Sequence, residues 1–131
     1  MRFIETRTHG YMDYLMGIFL ILAPWIFNLD PGEPEGIIFI VLGAMALLYS
    51  LMTRYELGMM KVISMKTHLT LDILSGIVLA ASPWIFNFQE EVYLPHLILG
   101  LIEIGAGLFT KTTPAHMHGD ATAHAHTHRH A

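Results

Sequence analysis

The fold is decided by a stretch of 21 residues that occurs twice: THGYMDYLMGIFLILAPWIFN at residues 8–28 and THLTLDILSGIVLAASPWIFN at residues 67–87. Both copies begin with Thr-His, keep one Asp and one Gly at the same places, and end with Pro-Trp-Ile-Phe-Asn. Each copy is followed by a loop and a second apolar stretch. The chain is therefore predicted to be a duplicated helical hairpin.

Four apolar stretches follow from this arrangement, at residues 11–27, 37–52, 69–86 and 92–109. At a rise of about 1.5 Å per residue they are slightly short of a hydrocarbon core of about 30 Å, a difference that local thinning of the bilayer covers. Of the 131 residues, 53% are hydrophobic and only 14% are charged, whereas soluble domains are about 25% charged. We predict an all-α fold: a four-helix transmembrane bundle made of two tandem, parallel helical-hairpin repeats.

The charged residues predict the orientation of this bundle. The two hairpin loops on one side carry acidic residues and no Lys or Arg. All seven basic residues lie on the other side, and they are Arg2, Arg7, Arg54, Lys61, Lys66, Lys111 and Arg129. The positive-inside rule then places both termini in the cytoplasm.

The chain divides into five segments on this basis. Residues 1–7 form a cytoplasmic N-terminus, 8–54 the first repeat, 55–66 a cytoplasmic linker, 67–113 the second repeat and 114–131 a tail without apolar periodicity. The tail is predicted to be disordered. Its alternating histidines suit weak binding of a divalent metal, and a merely solvated tail is the alternative. These histidines are His116, His118, His124, His126, His128 and His130.

A short motif closes the first helix of each repeat: Ala-Pro-Trp at residues 23–25 and Ser-Pro-Trp at residues 82–84. Its duplication resembles the SPW repeat family of small bacterial membrane proteins over residues 6–113. The resemblance implies a multi-pass protein of the bacterial cytoplasmic membrane, and it brings no reaction, ligand or catalytic residue. We interpret the motif as a kink and an interfacial anchor, with an outward-facing ligand cavity as the alternative. The motif residues are Pro24, Trp25, Pro83 and Trp84.

A polar stripe lies on the first helix of each repeat. His9 and Asp13 are four residues apart, as are His68 and Asp72, so each pair shares one helix face near the cytoplasmic boundary. The pairs are interpreted as hydrogen-bonded helix starts that lock the two repeats together. A proton or cation site is the alternative.

The last helix carries a longer polar and small-residue face, which includes His96, Gly100 and Glu103. Glu103 is predicted to lie about 10 Å deep by helical rise, where a carboxylate usually faces the interior. We expect it to share a polar cluster with the stripe of the preceding helix. Glycines at matching positions of the two repeats are expected to face inward, and these are Gly17, Gly43, Gly76 and Gly100. The full predicted interior cluster is His9, Asp13, His68, Asp72, His96 and Glu103.

No pattern in the chain predicts an enzyme. It has no Cys, no nucleophile beside a base, no phosphate-binding loop and no basic aromatic surface for nucleic acid. We therefore predict no catalytic residue and no cofactor, apart from weakly bound metal in the tail. The expected partners are the lipid bilayer and, as an open alternative, a second copy of the chain. A membrane-embedded structural or interaction module is the favoured function, and a small proton-linked or metal-ion transporter that uses the intramembrane acids is the alternative.

Overall fold

The structure is a computed structural model that describes residues 2–113. Over this range the chain forms four α-helices and no β-strand: α1 (Thr6–Ile26), α2 (Pro34–Leu51), α3 (Met65–Ile85) and α4 (Leu94–Phe109). Packing is densest between α1 and α2 and between α3 and α4, with α2 also against α3. The predicted fold of two tandem hairpins is confirmed. The tail histidines, from His116 to His130, lie outside the described residues.

The first helix of each repeat begins before its apolar stretch. α1 begins at Thr6 and α3 at Met65, about one turn earlier than the apolar residues alone indicate. Ser64 caps α3, since its hydroxyl oxygen accepts the N–H of Thr67 at 3.2 Å. The His and Asp of each polar stripe consequently lie in the first two or three turns of a helix.

The Pro-Trp-Ile-Phe-Asn motif forms the same helix end in both repeats. Asn28 and Asn87 adopt left-handed backbone conformations, with φ of 57° and 60°. The N–H of Leu29 donates to the carbonyl of Pro24 at 2.6 Å, and the N–H of Phe88 donates to that of Pro83 at 2.8 Å. This is the Schellman pattern, in which a left-handed residue ends the helix. Asn closes each motif because, after Gly, it adopts this conformation most readily.

Paired glycines bring the two helices of each hairpin into backbone contact. A Cβ atom added at Gly43 would lie 2.7 Å from the carbonyl oxygen of Gly17, and one added at Gly100 would lie 2.5 Å from that of Gly76. Small residues allow such close approach between apolar helices. All four glycines are buried, so the prediction that they face inward is confirmed.

The two repeats are joined by a matching pair of short parallel bridges. Ile4 pairs with Thr110, and Ile63 pairs with Thr53. The N–H of Ile4 donates to the carbonyl of Phe109 at 2.9 Å, and the N–H of Ile63 donates to that of Met52 at 2.7 Å. Each bridge ties the start of one repeat's first helix to the end of the other repeat's second helix. The end of α4 is thereby held beside the start of α1.

The bundle is apolar outside and partly polar inside. Large apolar side chains are exposed on all four helices, and examples are Leu15, Trp25, Leu48, Leu74, Trp84 and Leu101. The buried side chains include an apolar group around Leu20, Phe39 and Leu79, together with histidines and acids. By length and composition, α2 and α3 are long and apolar enough to cross a membrane, and α4 is a shorter apolar helix.

The glycine contacts predict a sharp difference between two positions on α4. Gly100→Ala is expected to lower the unfolding free energy by about 1–3 kcal/mol, because its Cβ would meet the backbone of α3. Gly105→Ala is the matched control, since a Cβ there meets nothing within 4 Å. Because Ala also favours a helix over Gly, this control is expected to be neutral or stabilising. Thermal unfolding of both variants in detergent measures the difference, and equal losses would contradict the packing.

Candidate functional site

Four buried side chains, His9, Asp13, His68 and Asp72, meet inside the bundle near the end where α1 begins. They are here named the His–Asp cluster. The Nε2 atom of His9 lies 2.6 Å from Oδ2 of Asp72 and 3.0 Å from Oδ2 of Asp13. The Nε2 atom of His68 is hydrogen-bonded to Oδ2 of Asp13 and lies 3.3 Å from Oδ2 of Asp72. Each histidine thus contacts both carboxylates, and the four atoms form a closed ring.

The duplication of the hairpin explains how the ring forms. Each repeat contributes one His and one Asp, spaced four residues apart on one face of its first helix. The two first helices face each other, so the rings of His9 and His68 meet edge to face with centroids 5.4 Å apart. Both histidines are completely buried. The shortest hydrogen bond of each histidine crosses to the other repeat.

Two threonines contact the Nδ1 atoms of the histidines, which are the ring nitrogens that face away from the carboxylates. The Nδ1 atom of His9 lies 2.7 Å from Oγ1 of Thr110, and that of His68 lies 2.7 Å from Oγ1 of Thr53. Each threonine hydroxyl donates to the carbonyl four residues earlier on its own helix. A hydroxyl has a single hydrogen, so each threonine accepts a hydrogen bond from the ring. Nδ1 therefore carries a proton in both histidines, and Nε2 faces the carboxylates.

Sequence reasoning did not assign a role to these threonines. The sequence does contain a signal for them, because Thr53 and Thr110 occupy equivalent positions of the two repeats, 57 residues apart. Thr53 lies two residues after Leu51, where α2 ends, and Thr110 directly follows Phe109, where α4 ends. Neither threonine therefore lies on the helical faces that carry the polar stripes. The bridges to Ile63 and Ile4 bring them within reach of the histidines.

Two further residues make the surroundings of the cluster asymmetric. The hydroxyl of Tyr49 donates to Oδ1 of Asp72, whereas the equivalent position of the second repeat is Ala106. Glu103 is buried, and its Oε2 atom has no hydrogen-bond partner within residues 2–113. It lies within electrostatic range of Asp72, Asp13 and His9. Glu103 is thus inside the bundle, beside the cluster but not hydrogen-bonded to it.

His96, the remaining member of the predicted interior cluster, lies at the opposite end of the bundle. Its Nε2–H donates to the carbonyl of Glu35 at 2.8 Å, and its ring packs between Phe39 and Phe88 with centroid distances of 4.1 and 4.8 Å. His96 shares a helix face with Glu103 but precedes it by seven residues, about 10 Å along the axis. The structure therefore brings together His9, Asp13, His68 and Asp72, with Glu103 nearby, and leaves His96 apart.

The linker between the repeats covers the cluster at the end of the bundle where α1 begins. Tyr55 is completely buried and its ring packs against that of His68, with centroids 5.6 Å apart. The hydroxyl of Thr6 donates to the Glu56 carboxylate at 2.8 Å, and that of Tyr14 donates to the carbonyl of Leu57 at 2.7 Å. Burial raises the pKa of the Tyr55 phenol, so this side chain covers the cluster as a neutral group.

Duplicated hairpins, a Pro-Trp helix end in each and one His–Asp pair per copy define an all-helical protein of two tandem repeats. A family model for the SPW repeat domain matches residues 7–110, so the chain belongs to the SPW repeat family. This agrees with the resemblance carried by the Pro-Trp motif. No curated protein and no solved structure matches the chain.

The threonine contacts predict a measurable loss of stability. Thr53→Val removes the acceptor for the buried Nδ1–H of His68 and is expected to cost about 1–3 kcal/mol of unfolding free energy. Thr70→Val is the matched control, because its hydroxyl makes the same contact with a carbonyl four residues earlier but is exposed. The control is expected to change stability by less than about 0.5 kcal/mol. Unfolding in detergent measures both, and similar losses would show that the histidine contact is not the cause.

Proposed function

We propose that the protein is a four-span integral protein of the bacterial cytoplasmic membrane and acts there as a structural or interaction module. The observation that carries this proposal is the inverted polarity of the bundle. Large apolar side chains are exposed on the helices, whereas histidines and acids are buried. A soluble protein of this size rarely exposes so much contiguous apolar surface, while lipid requires it.

The distribution of charge supports an orientation with both ends in the cytoplasm. Arg2 and Lys111 lie at the end of the bundle where α1 begins and α4 ends, and the acidic loops lie at the opposite end. Trp25 and Trp84 are exposed at that opposite end, and Trp84 packs against Tyr93 with ring centroids 5.9 Å apart. Aromatic side chains at this level are typical of a membrane interface.

The His–Asp cluster supports the module by tying one hairpin to the other. Glycine contacts act within a hairpin, whereas the cluster and the two bridges act between hairpins. In lipid, the hydrophobic effect does not drive helices together, and packing and interhelical hydrogen bonds take its place. A buried set of reciprocal hydrogen bonds between the repeats suits a rigid unit whose outer surface contacts lipid or a partner.

Proton-linked or metal-ion transport is the second candidate, and Glu103 is the observation that favours it. Acids inside membrane proteins often mark proton or ion pathways. Glu103 has a buried oxygen without a hydrogen-bond partner within the described residues and lies beside the cluster.

The proposed topology is tested with single cysteines, because the chain has none of its own. Glu33→Cys and Glu90→Cys are expected to react with a membrane-impermeant maleimide in intact cells, since both positions lie in the outer loops. Met59→Cys, at an exposed position of the linker, is the control and is expected to react only after the cells are permeabilised. The opposite pattern of labelling would contradict the orientation.

Glu103→Gln separates the module from the transporter. The amide keeps the volume and hydrogen-bonding capacity of the side chain, so the variant is expected to fold and insert like the parent. The module predicts that it fully reverses any metal or pH sensitivity of a deletion strain, whereas transport through Glu103 predicts that it does not. Glu5→Gln, at an exposed acid paired with Lys111, is the control and is expected to reverse the phenotype in either case. Failure of Glu103→Gln alone would overturn the module in favour of the transporter.

A further inference from the structure

The His–Asp cluster presents four ligand atoms of the kinds that transition metals bind. One nitrogen from each histidine and one oxygen from each aspartate lie within 4.8 Å of one another. Zinc binds His nitrogen and carboxylate oxygen at about 2.0–2.2 Å in a tetrahedron, so its ligands lie about 3.3–3.6 Å apart. The contacts around the ring are no longer than 3.3 Å. Small outward movements of side chains would therefore make room for an ion.

The hydrogen bonds of the two histidine Nδ1 atoms are those that a metal site requires. A histidine that binds a metal almost always donates its other ring N–H to a fixed acceptor, which sets the tautomer and the ring orientation. Thr110 and Thr53 accept from Nδ1 of His9 and His68, respectively. Both Nε2 atoms are thereby directed toward the carboxylates, and without a second proton each offers its lone pair to the centre of the ring.

The charge of the cluster also matches a divalent ion. Two ionised aspartates with two neutral histidines carry a net charge of −2, which is costly in a buried site without compensation. No Lys or Arg forms an ion pair with the cluster within residues 2–113. The charge is balanced either by two protons shared within the ring or by one divalent cation.

We propose that the His–Asp cluster binds a single divalent transition-metal ion, with Zn²⁺ as the best match, through one histidine and one aspartate of each repeat. Imidazole nitrogens favour zinc and its neighbours over Mg²⁺ and Ca²⁺, which prefer oxygen ligands. Tyr49 holds the second oxygen of Asp72, which leaves Oδ2 as the ligand atom. Four protein ligands close the coordination shell, as in structural zinc sites.

Such an ion would connect α1 to α3 directly and so reinforce the contact between repeats. The inference goes beyond the proposed function, because the donor set holds an ion whether the bundle is a module or a transporter. It also differs from metal binding by the tail, which involves six other histidines.

The test uses the full chain, purified in detergent, with all six tail histidines from His116 to His130 replaced by Ala. Titration with Zn²⁺ is expected to give one bound ion per chain. X-ray absorption at the zinc edge is expected to show four nitrogen or oxygen ligands at about 2.0–2.2 Å, two of them imidazoles. Absence of bound zinc in this variant, or a zinc spectrum without imidazole, would overturn the proposal.

Substitutions in the same background assign the ligands. His68→Gln and Asp72→Asn are expected to abolish stoichiometric binding, and Thr53→Val, which loosens His68, to weaken it about 10–100-fold. His96→Gln is the control, because His96 is a buried histidine at the other end of the bundle. The zinc affinity of this variant is expected to stay at the parent value. Unchanged affinity in His68→Gln and Asp72→Asn would place the ion elsewhere and overturn the proposal.

Thermal unfolding provides a readout that does not depend on purifying a weakened variant. Zinc that binds the folded bundle raises its melting temperature by an amount that grows with the logarithm of the ratio of free zinc to the dissociation constant. The variant without tail histidines is expected to show this rise, and a rise that disappears with the tail histidines would assign the effect to the tail and contradict the site.

Discussion

The exchange of hydrogen bonds between His9 and Asp72, and between His68 and Asp13, is the interaction on which the rest of the structure depends. A buried histidine or carboxylate without a partner is expensive, especially inside a membrane. Within one repeat, His9 does approach its own Asp13, but its shorter contact is to the other repeat. A single hairpin could make neither of the two exchanged bonds. The duplication is therefore a physical requirement of the cluster, and the two repeats form one unit.

Several separate features position this exchange. Backbone contact at the paired glycines sets the distance between the helices of each hairpin. The two parallel bridges between the repeats fix the position of one repeat relative to the other along the bundle axis. They also bring Thr110 and Thr53 within hydrogen-bonding distance of the histidines. The linker then covers one side through Tyr55. Because buried polar networks are stable only when their members are satisfied, a disturbance at any of these contacts is transmitted to the cluster.

The sequence predicts the helices and the inward faces well, because periodicity and duplication report them directly. It places His9, Asp13, His68 and Asp72 on interior faces, and the structure brings these four together. Helical periodicity gives the face of a residue but not which element lies opposite at that depth, which is why His96 was grouped with residues at the other end of the bundle. The role of Thr53 and Thr110 depends on contacts between residues far apart in the chain, and no local pattern reports such contacts. The tail histidines lie outside the described residues, so their metal binding stays a prediction.

Two residues beside the cluster depart from the symmetry of the repeats. His, Asp and Thr are present in both repeats, and they account for the joint between them. Tyr49 and Glu103 have no polar equivalents, since the matching residues are Ala106 and Ala46. Ala46 is buried in the first repeat at the position where Glu103 is buried in the second, so the hairpin does not need an acid there in order to fold. A buried carboxylate that the fold does not need is costly, so the packing of the helices does not by itself explain why the second repeat carries one.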